Sequence, residues 1–357
     1  RIARVLQAMQ AQGMTQMIVS DPQSIDYLTG VYVEPFERLF ALYLRADGRH
    51  IFFLNKLFTV PETPIEKVWF TDTDDAVGMI ASRVEAGAPL GIDKTWPARF
   101  LLPLMERLPG TPCRMASDCV DGVRACKDAA EQELMRENSR INDEAMRRAA
   151  AYIREGMTER EVAEYLLAQY QALGCEGPSF PPIVSFGANA ADPHHAPDDT
   201  RLQAGDCIVL DIGGKKDGYC SDMTRTYFCH SVSDKHAAIH DLVRRANEAA
   251  EALIKPGVPL YELDKAARDL IAQAGYGEYF THRLGHFIGR AEHEQGDVSS
   301  ANTAPAREGM IFSIEPGIYL PGELGVRVED LVLVTATGCE VLNKVDKHWQ
   351  TIGYKGT

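Results

Sequence analysis

Alternating strand and helix signals over the first third of the chain, a long helical pattern opening the remainder, and a length of 357 residues together predict a two-domain α/β (α+β) protein. The smaller N-terminal α/β domain is expected over residues 1–122 and the larger domain over residues 123–357. In the first, Gln16 to Ser20 ("QMIVS") is a short apolar strand, and Asp21 follows as the N-cap of a helix. Two apolar runs flank Asp47-Gly48 in "FALYLRADGRHIFFLN", a hairpin signal. Further strands are expected in "KVWFT" and "PLGID", and the domain closes near Asp121. From Lys127 the pattern turns helical, with Leu134, Ile141, Ala145 and Tyr152 on one face. After a break at Gly156, Thr158 and Glu161 form a capping box ahead of a second helix. Helices are expected over about His236–Ile254 and Leu260–Ala274, and strands over Cys207–Gly213, Ser221–Cys229, Met310–Tyr319 and Gly325–Val334.

Composition narrows the function classes. Acidic residues outnumber basic ones, 51 to 37, for a net charge of −14, so no basic excess exists to neutralise nucleic-acid phosphates. No apolar run approaches the ~20 residues of a membrane span, and "RIARVLQAMQAQGMTQ" reads as an amphipathic helix rather than a signal peptide. A cytoplasmic location without membrane contact is expected. The chain opens on Arg1 with no initiator Met, so its numbering is expected to start inside the natural chain. The eight cysteines form no C-x-x-C pair and read as free thiols packed as small hydrophobes.

The chemistry lies in "VLDIGGKKDGYCSDMTRT", where Asp211 ends an apolar run and Asp222 follows a turn signal. A turn centred between Lys216 and Asp217 sets the two directly opposite, about 4.5–5.5 Å apart, and moving the centre by one residue leaves them diagonal on one face. In "FSIEPGIYLPGELGVRVEDLVLV" a turn centred on Gly322 brings Glu315 opposite Glu329 in the same way. Taken singly, such residues are usually solvated strand ends. Two facing pairs repel unless cations lie between them. His286 in "HRLGHFIG" completes an oxygen-rich set with one nitrogen, suited to two divalent ions such as Mn²⁺ rather than to a thiolate zinc site.

"LDIGGKKDGYCSDMTRTY", "GHFIG" followed by "EHE", "SIEPGIYL" and "GVRVED" together resemble the Xaa-Pro dipeptidase (prolidase) and aminopeptidase P branch of the pita-bread metallopeptidases. The resemblance implies a pita-bread catalytic domain and metal ligands Asp211, Asp222, His286, Glu315 and Glu329, with Asp222 and Glu329 bridging two ions. It implies Mn²⁺ foremost, with Co²⁺, Zn²⁺ or Fe²⁺ open, a water or hydroxide between the ions as nucleophile, and Glu315 as proton acceptor. His194 and His293 match the family's substrate-pocket histidines, His293 toward the scissile carbonyl and His194 near the residue after the cut, while His195 reads as a solvated loop residue. Arg327 orients the Glu329 side, contacts a substrate carboxylate, or forms a structural ion pair. Where the family has Gly-His-Gly-Ile-Gly-Leu this chain has "GHFIGR", so Phe287 and Arg290 are expected to shape the substrate pocket or to face away from it. The implied activity is hydrolysis of Xaa-Pro dipeptides by a homodimer, with an Xaa-Pro aminopeptidase of longer peptides and a metal-free binding protein as alternatives.

Overall fold

The computed structural model describes residues 1–354 and divides into two compact units, Arg1–Arg124 and the remainder from Ala125. The first unit is a mixed six-stranded sheet in the order Glu66–Phe70, Ile51–Asn55, Ala41–Arg45, Gln16–Val19, Leu90–Ile92, Cys113–Met115. Strand periodicity sends Met17 and Val19 into one apolar cluster and Ile18 into another on the opposite face, so both faces are covered. Asp21 caps the helix Pro22–Thr29 by accepting from the Ser24 amide at 2.9 Å.

In the second unit, four antiparallel or parallel neighbours form one sheet in the order Thr351–Ile352, Met223–Cys229, Cys207–Ile212, Ile183–Phe186. A five-stranded sheet runs Glu294–Val298, Gly285–Phe287, Ile311–Ile314, Asp330–Val334, Cys339–Val341. Each is backed by a helix pair. Ala149, Val162 and Leu166, from the helices Ala129–Tyr152 and Glu159–Ala172, bury against Ile208 and Leu210. Val243 and Leu263, from the helices Asp234–Glu251 and Leu260–Gln273, bury against Phe312 and Val332. The capping box at Thr158 and Glu161 forms, and a second one at Asp128 and Glu131 starts the long helix.

Two expectations change here. The buried face of the long helix runs through Met135, Asn138, Asn142 and Ala145, whereas Leu134, Ile141 and Tyr152 stay half-exposed. Asn138 and Asn142 are inside because they bond strand-end carbonyls: Asn138 Nδ2 donates to Lys216 O and Tyr219 O (3.0 and 2.9 Å), and Asn142 Nδ2 to Ile212 O (2.8 Å). The strands expected over Met310–Tyr319 and Gly325–Val334 each break in two, at Glu315-Pro316 and at Val328-Glu329. Pro316 has no N–H for the ladder, and the break turns the acidic side chains out of the sheet.

A buried imidazole makes the fold acid-sensitive. His240, on Asp234–Glu251, is 1 % exposed, and burial pushes its pKa down to about 4, with Arg244 and Arg225 lowering it further against the opposing backbone bond to Thr226 and the Asp241 charge. A His pKa lowered by folding contributes stability that is present above its unfolded value and lost as pH falls toward the folded one. We expect denaturant melts to show about 3 kcal/mol lost through this residue between roughly pH 6.5 and pH 4. A His240→Gln protein should show a correspondingly shallower acid limb, and an unchanged limb would exclude His240 as the acid-labile group.

Candidate metal centre

The centre is built where two interrupted hairpins meet face to face. In the first, Cys207–Ile212 pairs with Met223–Cys229 in a register that sets Asp211 opposite Thr224. Asp222, two residues earlier, is therefore diagonal to Asp211 rather than directly opposite. The turn is centred on Asp217-Gly218, both left-handed (φ 51° and 74°), as a two-residue turn with two positive φ values requires. Lys216 does not meet that demand as readily as Gly218, which moves the centre one residue on from Lys216/Asp217. In the second hairpin Ile314 pairs with Asp330, and beyond the break Gly317 pairs with Arg327 in the same register, around a turn at Gly322 (φ 75°). Glu315 and Glu329 sit in the gap between these ladders, opposed as the spacing predicts.

Threonines on the first hairpin stitch the two together. Thr224 Oγ1 donates to Glu329 Oε2 at 2.7 Å and accepts from Arg327 Nε at 3.0 Å. Thr226 Oγ1 donates to Arg327 O and accepts from Arg327 N (2.9 and 3.1 Å). His286 comes from Gly285–Phe287, next to Ile311–Ile314 in the five-stranded sheet, where its amide donates to Ser313 Oγ at 2.9 Å. A proton on its Nδ1 donates to Phe287 O (3.3 Å), leaving the Nε2 lone pair 3.4 Å from Asp222 Oδ2 and 3.6 Å from Glu315 Oε1. Ligand atoms of Asp222, His286 and Glu329 all lie within 4.8 Å of one another.

The donor set fits hard divalent cations. Asp211 Oδ1, Asp222 Oδ1 and Glu329 Oε1 are buried and have no hydrogen-bond partner, an expensive arrangement unless a cation takes the lone pairs. Burial, then repulsion from Asp211 and Glu315, raises Asp222 well above the usual carboxylate range; burial, then Asp222 and Glu315, does the same to Glu329. Burial also pushes Glu315 up, but His286, His282 and Arg327 outweigh it and hold that group below its ordinary value. Four carboxylates and one imidazole make an oxygen-rich set that suits divalent cations.

These residues open into a cavity of about 380 Å³ also lined by Phe180, Ile183, His194, Arg283, Glu292 and His293. His293 stacks at a tilt 4.0 Å from His286, and burial, followed by His286 and Arg283, lowers its pKa to about 4. His194 is exposed at the mouth. Its neighbour His195, read from sequence as a solvated loop residue, is instead pinned by Glu159: Nε2 lies 2.7 Å from Oε2 of that fully buried carboxylate. The other Glu159 oxygen accepts from Phe186 N and Asn189 Nδ2, so this second acidic group is satisfied by the protein itself.

Phe287 and Arg290 lie outside the cleft. Strand alternation makes the correction for Phe287: with His286 facing the carboxylates, the next side chain points into the core, against Phe312 at 5.5 Å. Arg290 lies over the Tyr219 ring at 5.5 Å, beside the first hairpin's turn. Arg327 is an internal clamp, 3 % exposed, with Nη2 on Asp211 Oδ2 (2.6 Å) and Nη1 on Tyr319 Oη (2.9 Å). Sequence reading missed His282, whose Nε2 is 2.8 Å from Tyr319 Oη, and Glu292, a half-buried acid in the cleft. Tyr319 shares the strand parity of Glu315, a signal that was available; Glu292 carries no local signal beyond its place in "EHE".

The model for metallopeptidase family M24 matches residues 133–336, and that for the creatinase/prolidase N-terminal domain matches residues 1–126. An uncharacterized peptidase of Staphylococcus aureus is 35% identical over 357 residues, covering 97% of this chain and 99% of its own. Among solved structures, dipeptidase PepE from Mycobacterium ulcerans superposes with a TM-score of 0.94 at 35% identity, covering 98% of this chain and 96% of that one. A prolidase from Thermococcus sibiricus gives 0.89 at 31% identity, with 99% and 98% coverage.

Proposed function

Since the chain belongs to metallopeptidase family M24 and carries a creatinase/prolidase N-terminal domain, we propose that it hydrolyses the peptide bond before proline in Xaa-Pro dipeptides. The observation that carries this reading is that Asp211, Asp222, His286, Glu315 and Glu329 line one cleft at the small end of the about 300–1,000 Å³ range of ligand sites, a volume suited to a dipeptide, with ligand atoms of Asp222, His286 and Glu329 within 4.8 Å of one another. The dipeptidase and prolidase names of the structural relatives support the substrate class.

Asp211, Asp222, His286, Glu315 and Glu329 would hold two divalent ions, Mn²⁺ foremost, which supply Lewis acidity toward the scissile carbonyl and a water acidic enough to attack at neutral pH. Glu315 accepts the water's proton: Ser313 Oγ donates to its Oε1 at 3.1 Å and orients it, and the nearby Arg327 guanidinium favours its ionised form. His293, uncharged at neutral pH, offers an N–H to the oxyanion that develops on the carbonyl. His194, exposed on the cleft wall, is the group we assign to the residue after the cut. Arg327 holds Asp211 in a chelating orientation and so acts through that ligand.

The reading is tested by kcat/KM on an Xaa-Pro dipeptide, an Xaa-Leu dipeptide and an Xaa-Pro-Yaa tripeptide, with Mn²⁺ and after chelation. We expect the Xaa-Pro dipeptide to lead and chelation to abolish all turnover. Preference for the tripeptide would make the protein an aminopeptidase, and turnover that survives chelation would remove the metal from the mechanism.

A further inference from the structure

A dipeptide carries its C-terminal carboxylate into a cleft walled by acids, so some cation must receive it. Two arginines and no lysine line the cleft among the described residues. Arg327 is not available: its Nε, Nη1 and Nη2 are spent on Thr224, Tyr319 and Asp211, and the side chain is buried. Arg283 is the opposite case. It is half-exposed on the cleft wall, and its guanidinium makes no ion pair or hydrogen bond with any described residue. An arginine within a strongly acidic cavity that finds no carboxylate of its own is a vacant anion receptor.

The segment that carries Arg283 is held rigidly from behind. Asp264, fully buried on the helix Leu260–Gln273, grips Arg268 with both oxygens (2.8 and 2.9 Å) and accepts from Leu284 N at 3.2 Å. Arg268 in turn donates to Phe280 O (3.0 Å) and His282 O (2.9 Å) and packs over the Phe280 ring. His282 Nδ1 lies 2.7 Å from the Arg283 carbonyl. Backbone on both sides of Arg283 is thus fixed, so little main-chain entropy is lost when the guanidinium engages a ligand. Arg283 and His293 line the same cleft as the carboxylate cluster, so the guanidinium faces the space that the substrate would occupy.

We infer that Arg283 reads the free C-terminal carboxylate of the substrate and thereby makes the cleft select peptides by the position of their C-terminus. This rests on the dipeptidase reading and adds the residue that enforces it. A planar fork takes a carboxylate in two parallel bonds, and a peptide one residue longer presents a neutral amide at that point and its carboxylate beyond reach.

The test compares each dipeptide acid with its C-terminal amide, for Xaa-Pro and Xaa-Leu pairs, in the Mn²⁺-loaded wild type, Arg283→Leu and Arg283→Lys. The wild type should favour acids over amides by ~10- to 100-fold in kcat/KM, the strength of a hydrogen-bonded charge pair. Arg283→Leu should erase that ratio by weakening the acids alone, chiefly in KM, and Arg283→Lys should restore part of it. Calorimetric binding of proline against prolinamide gives the same ratio without turnover. Acid and amide falling together, or a ratio that Arg283→Leu leaves intact in both measurements, overturns the proposal. Equal cleavage of Xaa-Pro and Xaa-Leu would instead sink the proline reading while leaving the acid-to-amide ratio to judge Arg283.

Discussion

Asp222→Asn should raise the stability of the metal-free protein at neutral pH, cancel its stabilisation by Mn²⁺, and lower kcat/KM by at least about a hundredfold. The three effects share one cause. Asp222 is 3 % exposed, faces Asp211, Glu315 and Glu292, and leaves Oδ1 without a partner, so without a cation its charge is a liability. A carboxyl whose folded pKa is raised contributes most below its unfolded value of about 3.9, and that contribution is lost as pH rises toward the folded pKa. Asp222's own contribution in the chelated wild type should therefore shrink as pH increases from about 4, against the opposite slope of His240, and the neutral amide should remove that loss. With metal the sign reverses, because the ions need the ionised ligands. Saturating Mn²⁺ at 100 times Kd stabilises by ~2.7 kcal/mol per site, which the variant should forfeit where Asp222 contributes. The turnover loss is set as a lower bound, since even outer partners of metal ligands cost 10- to 100-fold. Thermal melts at pH 5 and 8, with chelator and with Mn²⁺, together with metal counted per chain, check all three. A variant less stable than wild type in chelator at pH 8, or one that keeps full turnover, would contradict the account.

What the sequence made legible follows from how local each cause is. The second hairpin's register was readable because Gly322 fixes the turn and every pair from Ile311 to Leu320 keeps one register through the break. The first was one residue off, since an Asp-Gly pair at two left-handed positions outweighs symmetry about Lys216/Asp217. Phe287 could have been excluded from the cleft by strand parity alone, given His286 as a ligand. Other features needed partners far away in the chain. Asn138 and Asn142 look like solvent-facing helix residues until the carbonyls of Ile212, Lys216 and Tyr219 arrive to bond them, and His195 looks like a loop residue until Glu159 does. Arg283 was overlooked for a related reason: its significance is that Arg327 is fully engaged by Asp211, Thr224 and Tyr319, which no spacing rule reveals.

Arg225→Met should cost about 3–5 kcal/mol of stability, the usual penalty for removing one member of a buried ion pair, and should weaken metal binding although Arg225 touches no chelating side chain. Its guanidinium is 2 % exposed and fully committed: Nη2 to Asp330 Oδ1 at 2.8 Å, Nη1 to Thr224 O and Glu329 O at 2.9 and 2.7 Å, and Nε with Nη2 to Val345 O at 3.2 and 2.8 Å. Methionine fills much of the volume, so the loss is electrostatic rather than a cavity. Asp330, fully buried, would keep only the Lys347 ammonium at 2.8 Å, which Glu251 also shares at 2.7 Å. The carbonyls of Glu329 and Val345 would each lose a charged donor. Because the lost bond to Glu329 O fixes the main chain of a ligand, the carboxylate gains freedom that it must surrender to chelate. Arg225→Lys keeps the charge but cannot serve the aspartate and three carbonyls together, so it should fall between the two. Urea melts in chelator report the first effect and Mn²⁺ titration the second. A loss below about 1 kcal/mol would mean the pair is replaceable by apolar packing, as some buried pairs are, and unchanged Mn²⁺ affinity alongside a large stability loss would confine Arg225 to holding the fold.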